Sequence, residues 1–222
     1  MIKQRVAWGA AAIGAWLLGS APTGAAEPPL VIAVQPSATA EQLSAKGEEL
    51  ASYWQEQLGR PVELRFPTSY AGVIEALRFG HAHVAFMGAW PASLAHEHGG
   101  AEVVLAEIRD VLVDGSLVQA PSYTSSWIVL KDSPYQSLEA LRGKRVAFPS
   151  QLSTSGYVAP LAKLLELGLI QRGDAAADPK QFFGAVTFAG GYAQAWEALK
   201  AGQVDVAVIA GDVPEPLYRE VM

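Results

Sequence analysis

Short apolar runs alternate with longer amphipathic stretches from residue 30 onward. Runs of about four to eight β-branched and apolar residues indicate buried strands, and apolar positions repeated every three or four residues indicate helices. On this basis 30–34 is predicted as a strand and 39–58 as a helix, ended by Gly59 and Pro61. The alternation of the two kinds of element is typical of an α/β fold.

The same alternation continues along the chain. Further strands are predicted over 62–66, 82–87, 103–108, 127–130, 145–148, 186–188 and 204–209, and further helices over 71–79, 92–98, 137–141, 155–167 and 192–200. The strands up to 103–108 complete a βαβαβ unit, and Gly115 and Pro121 interrupt the pattern before the next unit begins. We therefore expect two α/β lobes, 27–122 and 123–222, with a hinge and a cleft between them.

Residues 1–26 have the composition of a secretory signal peptide. Lys3 and Arg5 give a positive start, 6–18 is apolar, and the last four residues are small, as at a cleavage site. The apolar stretch is too short to cross a bilayer, which takes about 20 residues. These features predict a periplasmic protein that is released from its leader.

Composition and charge narrow the function further. The chain of 222 residues has no cysteine, so neither a disulfide nor a lipid-anchoring cysteine is available. Removing the two basic residues of the leader from the 16 in the chain leaves 14 against 22 acidic residues, a formal charge of −8. A chain this acidic is a poor partner for nucleic acid.

Three hydroxyl residues lie where a predicted strand leads into the helix predicted over 155–167. They are Ser153, Thr154 and Ser155, followed by Gly156. A helix N-terminus offers unpaired N–H groups and the positive end of the helix dipole, and hydroxyl side chains there can complete a cradle for an oxyanion. The alternative interpretation is that one hydroxyl only caps the helix.

Three segments in a fixed order carry a family resemblance. They read Thr68-Ser69-Tyr70-Ala71-Gly72-Val73-Ile74-Glu75-Ala76-Leu77, Ser153-Thr154-Ser155-Gly156-Tyr157 and Gly202-Gln203-Val204-Asp205-Val206-Ala207. From about Leu30 to its end the chain resembles the phosphate/phosphite/phosphonate-binding proteins of ABC importers. The resemblance implies a fold like that of type II periplasmic binding proteins, with no catalysis and no cofactor. It also implies a monomer that captures a small phosphorus oxyanion for a permease in the inner membrane.

The resemblance also implies roles for particular residues. In that family the serine–threonine–serine run grips the phosphorus-bound oxygens, which assigns this role to Ser153, Thr154 and Ser155. Family tyrosines fall on Tyr70 and Tyr123, where they would close over the ligand and donate hydrogen bonds; for Tyr123 an ordinary loop aromatic residue is the alternative. We expect two hinged lobes to close around one anion held by neutral donors, with no lysine or arginine in the site.

Asp212 and the segment around Gly191 bear on which oxyanion is bound. Some family members have, at the position of Asp212, an acidic residue that pairs with the ammonium of an aminoalkylphosphonate. Glu215 is close enough to compete for that role, and a solvated turn aspartate is the alternative for Asp212. Those binders also carry a histidine where this chain has Gly191, within Ala189-Gly190-Gly191-Tyr192. Backbone N–H groups at Gly191 and the Tyr192 hydroxyl would suit a smaller anion such as phosphite or phosphate.

The chain also departs from the family in length. Family chains continue past the position of Met222, cross back to the first lobe and contribute a further acidic ligand. The first lobe is therefore expected to lack part of its sheet, with one crossing between the lobes where the family has two.

Other functions depend on other residues. His81, His83, His96 and His98 lie close together and could form a periplasmic metal site, although their turn positions are typical of solvated histidines. No nucleophile elbow, phosphate-binding loop or zincin motif is present, and only Ser153 with distant partners leaves hydrolysis open. A sensor for a membrane histidine kinase would use the same cleft as a transport protein.

Overall fold

The structure is a computed structural model that describes residues 27–36, 40–113, 116–173, 176–213 and 215–221. In chain order its elements are β1 (Leu30–Val34), α1 (Ala40–Leu58), β2 (Val62–Arg65), α2 (Tyr70–Arg78), β3 (Val84–Phe86), α3 (Ala89–Gly99), β4 (Arg109–Val113), β5 (Ser116–Ala120), β6 (Ser125–Ile128), β7 (Arg145–Phe148), α4 (Ala159–Glu166), β8 (Ala185–Phe188), α5 (Tyr192–Lys200), β9 (Val206–Ala210) and α6 (Glu215–Val221). The predicted leader lies outside the described residues. Within them, no helix has the length and apolar character needed to cross a bilayer.

The first sheet is parallel and has the strand order β2-β1-β3. Ile32 in the central strand pairs with Leu64 on one side and with Val84 on the other. Val31, Ile32 and Ala33 are all buried, as is usual for a central parallel strand whose two faces are both covered. This double burial explains the unbroken apolar run, and the strand predicted over 30–34 is confirmed.

The strand predicted over 103–108 is wrong. This segment has no regular structure, and Val103, Val104 and Leu105 are at least 73% exposed. The next strand begins only at Arg109, where β4 pairs with β5 in an antiparallel hairpin. An apolar, β-branched run becomes a strand only where a neighbouring strand pairs with it, and none of the strands described here pairs with this segment.

The second sheet has the order β6-β9-β7-β8, in which β6 is antiparallel to β9 and the other pairs are parallel. Its larger core is aromatic and contains Phe148, Leu164, Phe182, Phe183 and Val206, each at most 2% exposed. Strand β7 and helix α5 have the bounds that the sequence predicts. Together the two sheets confirm an α/β architecture in which strand ends present loops and helix N-termini.

The helix predicted over 155–167 begins with a wider turn than expected. Thr154–Val158 forms one π turn before α4, and the carbonyl of Ser153 accepts hydrogen bonds from the backbone N–H of Tyr157 at 3.0 Å and of Val158 at 3.1 Å. Such turns are frequent at functional sites. Here the turn lies at the carboxyl end of β7 and carries the serine–threonine–serine run.

Two short helical segments differ from the prediction. The helix predicted over 137–141 is a single 3₁₀ turn, Glu139–Leu141. Helix α6, which the sequence does not predict, packs against α5, and the indole of Trp196 donates a 3.0 Å hydrogen bond to Glu220. Both segments are too short to show a clear helical period.

Asp205 connects the starts of β7 and β9. Its carboxylate accepts a 2.9 Å hydrogen bond from the backbone N–H of Arg145 and two more from the Arg145 guanidinium, at 3.0 and 2.9 Å. The side-chain hydrogen bonds from Arg145 are the main reason that the pKa of Asp205 lies below its ordinary 3.8. The folded state therefore favours the ionised carboxylate.

Replacing Asp205 by Asn should lower the free energy of unfolding at pH 7 by about 1 kcal/mol, a modest value because the pair is partly exposed. Since the folded pKa is depressed, the stabilisation is present above the ordinary carboxyl pKa and is lost as the pH falls through the folded value. Chemical denaturation across this pH range should show the variant and the parent converging below pH 3.8. Glu166→Gln, which removes an exposed contact with Lys163, is the control and should change little. Equal stability of Asp205→Asn and the parent at pH 7 would contradict this account.

Candidate functional site at the junction of the two sheets

Ser153 and Ser155 are the buried polar side chains of the described residues, at 2% and 7% exposure. The Ser153 hydroxyl accepts a 2.9 Å hydrogen bond from the Gly156 N–H, so it does cap the turn. A side chain at Gly156 would place its Cβ 2.1 Å from Pro149 and 2.6 Å from the Ser153 hydroxyl. The glycine of the motif is therefore required for the serines to take up this geometry.

Tyr192, the first residue of α5, joins the two serines. Its hydroxyl lies 2.9 Å from Ser153 Oγ and 2.7 Å from Ser155 Oγ. Burial raises the pKa of Tyr192 above its ordinary value, and the nearby Tyr70 adds to the rise. The phenol is therefore neutral at physiological pH, and the three hydroxyls form a buried, uncharged group that we call the hydroxyl cluster.

Gly191 precedes Tyr192 and leaves the N-terminus of α5 without a side-chain cap. Its backbone is extended, with φ at −175°, a conformation open to any residue. A Cβ there would approach the Gln194 amide oxygen at 2.5 Å, which is the movable end of a flexible side chain. The contribution of the Gly191 N–H to ligand binding stays a prediction.

Tyr70 reaches the hydroxyl cluster from the first sheet, as the first residue of α2. Ser69 caps that helix by accepting a 3.0 Å hydrogen bond from the Gly72 N–H. Tyr70 is only 2% exposed, yet its hydroxyl has no hydrogen-bond partner among the described residues. Burial raises the pKa of Tyr70 to about 12. Ser153 and Gln35 lie close enough to the Tyr70 hydroxyl to oppose this rise, but neither forms a hydrogen bond with it. A buried donor left unpaired is energetically unfavourable and calls for an explanation.

Helix α3 makes a second contact between the two sheets. Gly88 at its N-cap has no side chain to cap it, and the Trp90 N–H donates a 2.8 Å hydrogen bond to Thr154 Oγ1. The Gly88 N–H donates to the side-chain oxygen of Gln35 at 3.2 Å. Thr154 therefore acts as the side-chain cap of α3, although it belongs to the turn that follows a strand of the opposite sheet.

The N-termini of α2, α3 and α5, together with the π turn ahead of α4, meet around the hydroxyl cluster. Each of them carries partial positive charge and N–H groups that are not used within the helix. The combination of such ends with neutral hydroxyls creates a positive potential without a formal charge. This arrangement can hold an anion.

Tyr123 and Asp212 flank the hydroxyl cluster next to β6 and β9. Burial raises the pKa of Tyr123, and its contact with Ser155 opposes the rise. Ser125, at the start of β6, donates a 2.5 Å hydrogen bond to the Ser155 carbonyl. The Asp212 side chain is only 10% exposed, and burial raises its pKa. It is therefore not the solvated turn aspartate that the sequence left as an alternative.

The expectation of a site without a cation is wrong next to Asp212. Arg109, at the start of β4, forms an ion pair with Asp212 and a second one with Glu107. Burial works against the charge of Arg109, but the two carboxylates together raise its pKa, so the guanidinium stays charged. Arg109 and Asp212 are 103 positions apart in the chain, which is why no local pattern reveals the pair.

The histidines do not gather into a metal site. The imidazole Nδ1 of His83 accepts a 2.9 Å hydrogen bond from the Val31 N–H, and Nδ1 of His96 lies 2.8 Å from the Ala101 carbonyl. In the described ranges, no three histidine, aspartate or glutamate side chains are grouped so that they could hold a metal ion. The metal-binding alternative therefore finds no set of ligands in this part of the chain.

The fold defines a class of protein, because solved structures share it. The binding-protein component of an ABC phosphonate transporter from Pseudomonas aeruginosa is similar with a TM-score of 0.69, covering 87% of this chain and 60% of that one at 24% identity. PhnD1 from Prochlorococcus marinus, solved in complex with methylphosphonate, has a TM-score of 0.63, covering 86% of this chain and 65% of that one at 16% identity. At these identities the likeness establishes the fold, that of type II periplasmic binding proteins.

Sequence comparison places the chain within that class. The family model for "ABC transporter, phosphonate, periplasmic substrate-binding protein" matches residues 32–221. The phosphate-import protein PhnD of Mycolicibacterium smegmatis is 30% identical over 178 residues, which are 79% of this chain and 53% of that protein. The chain belongs to the family of periplasmic substrate-binding proteins of phosphonate ABC transporters. It spans about half the length of this curated relative.

Replacing Gly88 by Ala should weaken the contact between the two sheets, because the new Cβ would lie 3.0 Å from Thr154 Oγ1 and the hydroxyl that accepts from the Trp90 N–H would have to shift. The backbone of Gly88, with φ at −69°, accepts an L side chain, so only this contact is changed. The chain has no cysteine, and spin labels on cysteines introduced at the exposed positions Glu97 and Lys180 can report the separation. We expect longer or broader distances in Gly88→Ala.

The matched control for this experiment is Ser93→Ala in the same helix, whose exposed hydroxyl donates a 3.0 Å hydrogen bond to the Ala89 carbonyl. It should leave the distance distribution unchanged. A Gly88→Ala distribution identical to that of the parent would show that the contact with Thr154 does not limit how closely the sheets approach.

Proposed function

We propose that the protein is the solute-binding component of an ABC importer and captures a phosphorus oxyanion, namely phosphonate, phosphite or phosphate, between lobes 27–122 and 123–222. It works in the periplasm and presents the closed form to a permease in the inner membrane. The observation that carries the proposal is the Tyr70 hydroxyl, which is buried and unpaired among the described residues beside the hydroxyl cluster. A ligand oxygen bound there would supply the missing partner.

The ligand would bridge the two lobes. Tyr70 and the N-terminus of α3 belong to the first lobe, whereas Ser153, Ser155 and Tyr192 belong to the second. An anion between them would accept hydrogen bonds from both sides at once and so stabilise the closed form over the open one. Tyr123, Thr154 and the Gly191 N–H are the further donors that we assign to the ligand.

The chemistry of the hydroxyl cluster fits a phosphorus oxyanion better than sulfate. A phosphonate or phosphate near neutral pH retains a P–O–H donor in part of its population, whereas sulfate has only acceptors. Serine and tyrosine hydroxyls can donate to one oxygen and accept from another. The cluster can therefore satisfy both kinds of ligand oxygen without a formal charge.

The contacts of Ser153 support a binding role over a hydrolytic one. Its hydroxyl interacts with the Gly156 N–H and with the Tyr192 hydroxyl. A nucleophilic serine needs a general base such as histidine within hydrogen-bond reach, and a phenol with a raised pKa is a poor one. The relatives reported above are transport proteins, which fits a protein that is not an enzyme.

Calorimetric titration of the full chain, expressed in a Gram-negative host, tests the proposal directly. The ligands are phosphite, methylphosphonate, 2-aminoethylphosphonate, phosphate and sulfate. Micromolar or tighter binding of at least one phosphorus anion, with sulfate inert, is the expected result. The double variant Ser153→Ala/Ser155→Ala should bind about tenfold or more weakly, since each lost hydrogen bond to an anion contributes about 1.5–3 kcal/mol. A folded parent that binds none of the phosphorus anions would refute the function.

Two tyrosine variants should respond in opposite ways. Tyr70→Phe removes a hydroxyl that is unpaired among the described residues, so it should leave the melting temperature unchanged or raise it while weakening ligand binding about tenfold. Tyr192→Phe removes the partner of Ser153 and Ser155 and should lower the free energy of unfolding by about 1–3 kcal/mol. Thermal denaturation and calorimetry of both variants provide the measurements. Parent-like affinity in Tyr70→Phe would remove Tyr70 from the site.

A further inference from the structure

The ion pair between Arg109 and Asp212 borders the hydroxyl cluster. Ser125 donates a hydrogen bond to the Ser155 carbonyl and pairs with Ala210 of β9, two residues before Asp212, and the Gly211 N–H donates a 2.8 Å hydrogen bond to the Thr124 carbonyl. Asp212 is the inner member, with its side chain 10% exposed, whereas Arg109 is 42% exposed. A substituent on an oxyanion held by the hydroxyl cluster could therefore come close to the pair.

The pair disfavours both kinds of charged substituent. An ammonium group would need the Asp212 carboxylate, but that carboxylate already pairs with the Arg109 guanidinium, which would repel the second cation. Glu107, which also pairs with Arg109, offsets this repulsion only in part, because its side chain is 39% exposed and water and salt screen its charge. A carboxylate substituent would instead meet Asp212 together with Glu107, the second acidic partner of Arg109. A substituent without charge meets neither difficulty.

We propose that the Arg109–Asp212 pair is a specificity determinant that restricts the ligand to phosphorus oxyanions whose substituent is uncharged or absent. This inference rests on the proposed function and narrows its substrate class. The pair keeps Asp212 from serving as an ammonium partner, so 2-aminoethylphosphonate is discriminated against. Arg109 acts here through Asp212 and does not need to touch the phosphorus-bound oxygens.

The experiment compares ethylphosphonate with 2-aminoethylphosphonate, which differ only by the amine. Calorimetry on the full chain should give at least about tenfold tighter binding of ethylphosphonate to the parent. Arg109→Met keeps much of the apolar stem and removes the cation, and should reduce that ratio at least about fivefold by freeing Asp212 for the ammonium. Glu107→Gln is the matched control because it leaves the Arg109–Asp212 pair in place, and its ratio should stay within about threefold of the parent's.

Asp212→Asn provides a second, independent variant. It leaves Arg109 without its inner partner, so the preference for ethylphosphonate should be at least as strong as in the parent. In Arg109→Met, by contrast, that preference should become weaker. This variant carries the test if Arg109→Met does not fold, as judged by circular dichroism. A weaker preference in Asp212→Asn would overturn the inference.

The outcomes also separate this inference from the proposed function. A parent that binds 2-aminoethylphosphonate as tightly as ethylphosphonate overturns the role of the pair and leaves the function standing. An unchanged ratio in a folded Arg109→Met does the same. A folded parent that binds no phosphorus oxyanion overturns both.

Discussion

The site depends on one phenol that satisfies two buried serines. Ser153 and Ser155 lie at the end of β7, where the backbone turns into α4, and neither side chain is open to water. Tyr192 enters from α5, and its hydroxyl is hydrogen-bonded to both of them, as the donor to at most one. Buried hydroxyls need such partners, so the position of α5 against β7 and the position of the serines are set by the same interaction.

The buried hydroxyls next to the two sheets differ in whether they have hydrogen-bond partners. On the side of the second sheet the hydroxyls of Ser153 and Ser155 are both hydrogen-bonded to the hydroxyl of Tyr192. On the side of the first sheet the Tyr70 hydroxyl has no partner among the described residues. Under the proposed function, the paired half would be pre-organised for a ligand that also pairs with Tyr70, because the cost of ordering its hydroxyls is met on folding and not on binding.

The sequence predicted the elements whose pattern is local. Strands 30–34 and 145–148 and helix 192–200 follow from apolar runs and helical spacing, and the structure confirms them. The segment 103–108 has the composition of a strand, but pairing is a tertiary property and the described part of the chain offers it no neighbour. The π turn at Thr154–Val158 was also not predictable, because no residue type marks it.

The site shows the same division between local and tertiary information. The hydroxyls of Ser153 and Ser155 could be found because the motif precedes a helix, and Tyr70 because the family resemblance marks it. Which hydroxyl pairs with which could not be found, since Tyr192 meets the serines only when β7 and α5 are adjacent. Arg109 follows a segment without regular structure and contacts Asp212 across 103 positions, so neither motif nor period points to it.

Charge explains why an acidic protein can present an anion site at all. The chain carries a formal charge of −6, so its long-range field opposes an anion, although salt screens that field over about 8 Å. At the hydroxyl cluster, helix N-termini and O–H dipoles create a positive potential over a short range. The net negative charge of the chain does not cancel this potential, because salt screens the charge. Asp212, a carboxylate that flanks that cluster, is paired with Arg109. Under the proposed function, this cation would offset the repulsion between Asp212 and a bound anion.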